Sequence, residues 1–82
     1  MVHYILRAEN NPEEFVFSGN DLEKIKGFFI NLKLNLIEIE NQIYEVSVKG
    51  IQNNHTYNVQ AESLEQAQYV FFDRYVSCEL VQ

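Results

Sequence analysis

The apolar pattern of this chain comes round twice. Sliding the 82-residue sequence along itself by about 42 positions, without gaps, sets Leu6-Arg7-Ala8 on Val48-Lys49-Gly50 and Phe15 and Phe17 on Tyr57 and Val59. The same shift sets Asp21-Leu22-Glu23 on Ser63-Leu64-Glu65, and Phe28-Phe29-Ile30 on Val70-Phe71-Phe72. Only Asn11/Asn53, Leu22/Leu64, Glu23/Glu65 and Phe29/Phe71 are identical, so it is not side-chain chemistry that repeats. What repeats is the order of polar and apolar positions, which sets secondary structure. The chain therefore reads as one domain over residues 1–82, built from two similar halves, 1–40 and 43–82, around one small core.

Within the first half, Val2, Tyr4, Leu6 and Ala8 alternate with His3, Ile5 and Arg7, the period of a half-buried strand. Glu9-Asn10-Asn11-Pro12-Glu13 supplies turn residues, and Glu14 to Phe17 returns as a second strand. Ser18-Gly19-Asn20-Asp21 ends that strand and offers a helix cap. Leu22, Ile25, Phe29 and Leu32 then recur at helical spacing, with Phe28 widening the stripe and Gly27 a weak point. Leu36–Glu40 and Ile43–Lys49 read as a hairpin about Asn41-Gln42, pairing Ile39 with Tyr44 and Ile37 with Val46. After a turn at Gln52-Asn53-Asn54, His55, Tyr57, Val59 and Ala61 alternate as the next strand. Ser63 caps a second helix with Leu64, Ala67, Val70 and Phe71 facing inward, and Glu79–Gln82 reads as a short last strand.

The order ββαβ thus occurs twice. It predicts an α+β fold: one mostly antiparallel sheet with both helices packed on one face. Its open face would carry Arg7, Ser47, Lys49, Thr56, Asn58 and Gln60.

Chemistry is sparse. Gly19, Gly27 and Gly50 are isolated and form no phosphate loop. Two histidines and one cysteine lack metal-ligand spacing, so neither metal nor cofactor is expected. Cys78 and His55 would make a nucleophile–base pair only if the fold joined them. No catalytic set stands out, and a non-enzymatic protein is expected. The lone Cys78, the lack of a signal-like start and the lack of a long apolar run suit a reducing cytoplasm.

The net charge of −6 disfavours direct contact with nucleic acid or an anionic membrane and favours a basic partner. In the hairpin register above, Glu38 faces Glu45 across the strands with Glu40 on the same side. Like charges held together cost stability, which a basic partner would relieve. Glu13 and Glu14 add a second acidic patch at the first turn, while Tyr69 and Tyr75, at the margin of the second helix, are candidate contact aromatics. Lys24, Lys26 and Lys33 read as a solvated helix face. The expectation is a small acidic protein-binding module that inhibits a basic, nucleic-acid-handling protein or nuclease. In size and charge alone it is similar to bacterial immunity proteins and phage anti-defence proteins. The alternative is a structural or regulatory domain that self-associates, as a homodimer, through open sheet edges.

Overall fold

Two capped amphipathic segments become helices, and each runs into a strand with no loop between. In the computed structural model, which describes residues 2–50 and 55–81, the elements are β1 (His3–Ala8), β2 (Phe15–Ser18), α1 (Leu22–Lys33), β3 (Leu34–Glu40), β4 (Ile43–Val48), β5 (Thr56–Gln60), α2 (Leu64–Tyr75) and β6 (Val76–Val81). The Asp21 carboxylate accepts from the Glu23 and Lys24 N–H groups at 3.0 and 3.4 Å, and the Ser63 hydroxyl accepts from the Gln66 N–H at 3.1 Å. Each cap satisfies donors that the first turn leaves open. Glu23 and Glu65 in the first turns and Lys33 and Arg74 in the last complement the helix dipole. Neither helix ends in a left-handed glycine. Leu34 and Val76 are already extended while their N–H groups still bond back to Ile30 and Phe72, so helix passes directly into strand.

The α+β class and the element order hold; the single sheet does not. There are two three-stranded antiparallel sheets, ordered β2-β1-β6 and β3-β4-β5. Each half keeps its own hairpin but sends its last strand to the other half's hairpin. β1 is thereby flanked by β2 and β6, and β4 by β3 and β5, so both central strands are filled and neither triplet needs the other's edge. The predicted open face is split accordingly. Arg7 belongs to one sheet; Ser47, Thr56, Asn58 and Gln60 belong to the other; Lys49 lies in the turn after β4. The predicted turn at Gln52-Asn53-Asn54 lies outside the described residues.

The two halves share one wiring, but not in the ungapped alignment. Tyr4 pairs with Phe17 and Leu80, and Tyr44 pairs with Val59 and Glu38. The partners correspond at an offset of 42, whereas the central strands correspond at 40. Leu6 and Ala8 therefore match Val46 and Val48, all buried, and Arg7 matches Ser47 rather than Lys49. The second half carries its two extra residues between its first and second strands.

One core unites the elements. Leu6 and Ala8 from one sheet and Leu34, Tyr44, Val46, Val48, Tyr57 and Val59 from the other meet Ile25, Phe29 and Ile30 of α1 and Ala67, Phe71 and Phe72 of α2. Phe29 and Phe71 are wholly buried, each worth about 1.5–3 kcal/mol by transfer alone. Phe29 sits edge-on to Phe15, Phe17 and Phe72 at centroid distances of 5.6, 6.2 and 5.7 Å. The buried helix stripe is turned from the predicted one. Ile30 and Phe72 are inside, while Leu22, Phe28, Leu32 and Leu64 are exposed.

Candidate partner-binding surface

The hairpin register decides where the acids gather, and it differs by one residue from the predicted one. Leu34 pairs with Val48, Leu36 with Val46, Ile37 with Glu45 and Glu38 with Tyr44; a bulge at Ile39 then brings Glu40 opposite Ile43. A one-residue slip moves every side chain of a strand to the other face. Glu38 therefore lies on the face of Tyr44, and Glu45 lies on the opposite face beside Ile37, so the predicted Glu38–Glu45 pair does not form. The physical reason is burial: Leu34, read as part of the helix, is the first inward residue of β3 and is 7% exposed. Seating Leu34 and Leu36 against Val48 and Val46 outweighs keeping Ile37 and Ile39 inside, and those two are exposed.

Glu38 is engaged locally. Its carboxylate accepts from the Gln42 N–H at 3.4 Å. Burial, then the charge of Glu38 and its hydrogen bond, push the Tyr44 phenol above its ordinary pKa.

A different acidic group forms at this end of the molecule. The Ala61 N–H donates to the Gln42 carbonyl at 3.0 Å, which fastens the start of α2 to the β3–β4 turn. Glu62 and Glu65, at the start of α2, are thereby brought to the end of the sheet that carries Glu38 and Glu40 on its two faces, where Ile39 and Leu64 are also exposed. Among the described residues none of these four glutamates is in an ion pair. Four other acids are compensated: Arg7 pairs with Glu14 and lies 3.6 Å from Glu79, and Lys26 reaches Glu23 and Asp73 at 3.8 and 3.4 Å. The Glu14 hydrogen bond and charge hold the Arg7 guanidinium above its ordinary pKa, with a lesser push from Glu79. Glu14, predicted for an acidic patch at the first turn, is thus neutralised, and Glu13 is half-buried.

The aromatics also part company. Tyr69 is exposed at 42%. Tyr75 packs at the core margin, with ring centroids 5.1 Å from Tyr57 and 5.5 Å from Phe71. Six residues apart on a helix, they lie on different faces and make no joint patch. Glu62 and Glu65 were missed as site residues because their sequence signature is that of an ordinary helix start; only the Ala61–Gln42 bond reveals the convergence.

Other chemistry stays dispersed. His55 packs edge-on to Tyr57 at 4.5 Å just before β5, whereas Cys78 lies on β6 in the other sheet. No group of three or more His, Cys, Asp or Glu side chains suited to a metal ion occurs among the described residues. A polar cleft of about 430 Å³ lies between the turn after β1 and the α2–β6 junction, lined by Arg7, Asn10, Arg74 and Ser77 among others. Arg7 is already engaged by Glu14 and Glu79, and the carboxyl end of α2, at Tyr75, faces the cleft, an arrangement that does not favour an anion. No helix among the described residues is long and apolar enough to cross a membrane. No protein-family model, no curated protein and no solved structure matches this chain.

Proposed function

We propose that the protein is a non-enzymatic binding module that offers the acidic end of the β3-β4-β5 sheet to a basic partner, as an inhibitor of a nucleic-acid-handling protein would. The observation that carries this reading is that Glu38, Glu40, Glu62 and Glu65, none ion-paired among the described residues, belong to one end of the sheet together with exposed Ile39 and Leu64. Uncompensated carboxylates raise on-rate and select cationic surfaces, and exposed apolar side chains beside them supply contact area. The corresponding end of the other sheet has Leu80 for Glu38 and Asn20 for Glu62, so the two halves differ here in charge while sharing their wiring.

The test is affinity capture from lysate, nuclease-treated to remove bridging nucleic acid. It compares wild type, the triple variant Glu40→Lys/Glu62→Lys/Glu65→Lys, and Glu45→Lys, in the middle of β4, as a control away from the turn. The expected result is a set of basic proteins that is lost with the triple variant and at raised salt but kept by Glu45→Lys. Equal capture by wild type and triple variant would overturn the reading.

A further inference from the structure

A sheet edge offers a row of unpaired backbone groups, and proteins blunt such edges with charge, bulges, proline or brevity. Two of the four edges here are blunted, and a third is polar. β3 carries Glu38 and Glu40 and a bulge at Ile39. β5 exposes Thr56, Asn58 and Gln60. β2 has only four residues, three positions after Pro12.

β6 is the exception. It pairs with β1 in unbroken register from Val76–Ala8 to Val81–His3. Five of its six residues are exposed, Leu80 at 50% and Val81 at 37%. Its one charge, Glu79, lies 3.6 Å from Arg7 on the neighbouring strand. β3 occupies the same position in the other half and serves as an internal comparison: Leu80 stands where β3 has Glu38, and Cys78 where it has Leu36.

We infer that β6 is a self-association edge, pairing antiparallel with β6 of a second copy to join two three-stranded sheets into one of six strands. The strand itself specifies the occupant. A two-fold axis perpendicular to the sheet requires one residue to face its own copy, and a two-fold interface must be self-complementary. Centring on Glu79 sets two carboxylates opposite each other, which is unfavourable. Centring on Ser77 shortens the overlap. Centring on Cys78 sets Val76 against Leu80, Ser77 against Glu79 and Cys78 against Cys78 of the second copy. Val76, Cys78 and Leu80 then share one face across the two copies, and each Glu79 carboxylate meets a Ser77 hydroxyl. Leu80 pairs with Tyr4 of β1, on the side of the sheet that holds the core, yet stays half exposed; the second copy's Val76 covers it.

This edge and the acidic end lie on different sheets, so the two readings are separable. Sedimentation analysis under reducing conditions is the test, comparing wild type with Leu80→Lys, which puts an inward-pointing charge on the edge. The expected result is a mass that doubles as the wild type is concentrated and a variant that stays monomeric with an unchanged circular dichroism spectrum. Mild copper–phenanthroline oxidation gives a second readout free of any variant fold. Directly paired cysteines have Cα atoms within disulfide reach, so a Cys78-linked dimer forms with a yield that rises with concentration. A wild type that remains monomeric at every concentration, or a dimer that survives Leu80→Lys, overturns the inference.

Discussion

At the scale of single residues, the two glycines that differ most are Gly27 and Gly50. Gly27 lies inside α1, and a Cβ added there would meet nothing within 4 Å. Glycine in a helix interior gives up about 1 kcal/mol against alanine through backbone entropy. Gly27→Ala is therefore expected to raise the urea midpoint by the equivalent of about 1 kcal/mol with an unchanged slope. Gly50 is the counter-case. Its φ is +85°, and an added Cβ would sit 3.6 Å from the Phe15 ring and 3.8 Å from the Lys33 ammonium, which itself lies 5.1 Å from that ring's centroid. The same Gly→Ala change at position 50 should lower stability, because the left-handed backbone is strained for alanine. If Gly27→Ala were neutral or harmful, a packing role for the bare backbone at that turn would have been missed.

At the scale of elements, the β3–β4 hairpin concentrates what sequence could and could not disclose. The two-residue turn at Asn41-Gln42, the extents of both helices to within about two residues and the capping side chains Asp21 and Ser63 were legible, since each is a local preference. The register was not. The glutamates at 38 and 40 alternate with Ile37 and Ile39 and mimic a strand with both isoleucines inward. The contest was settled by Leu34, whose burial depends on tertiary contact with both helices and the other half. The acidic end was half legible: Glu38 and Glu40 were visible as candidates, but Glu62 and Glu65 join them only through a bond between segments 19 residues apart. Similarly, the offset of 40 between the central strands was open to reading, since it sets Tyr4 on Tyr44, but a gapless comparison hides it. The turn also leaves a mark on the backbone. Gln42 has φ 64°, a left-handed value that costs an ordinary L-residue roughly 1–2 kcal/mol and glycine almost nothing. Asn10 shares that φ, but asparagine tolerates it better. Gln42→Gly keeps the N–H that donates to Glu38 and the carbonyl that accepts from Ala61. It is expected to gain about 1 kcal/mol in thermal or denaturant unfolding; a loss would show that the glutamine side chain contributes to the tip.

At the scale of the whole molecule, the exchange of last strands makes the chain ends equivalent to the central turn. The Gly19 N–H donates to the Val2 carbonyl at 3.0 Å, as the Ala61 N–H donates to that of Gln42 at 3.0 Å. His3 pairs with Val81 at the mouth of β1–β6 much as Ile43 pairs with Glu40 at the mouth of β4–β3. β1 and β6 are thus a hairpin without its turn, and β3 and β4 the same hairpin with one. A circular permutant should exploit this: residues 43–82 followed by 1–42, joined through a short Asn-Gly turn between the old ends. Each strand then keeps its partners, and the only change is which of two similar loops is closed, an entropic difference of about 1 kcal/mol or less. The permutant is expected to unfold in one cooperative transition with the parent's circular dichroism spectrum and a stability within about 2 kcal/mol of it. A second permutant opened between Val46 and Ser47 cuts the centre of the β3-β4-β5 sheet beside fully buried Val46, and should not fold cooperatively. Failure of the first permutant together with success of the second would show that the wiring shared by the halves does not govern how the chain assembles.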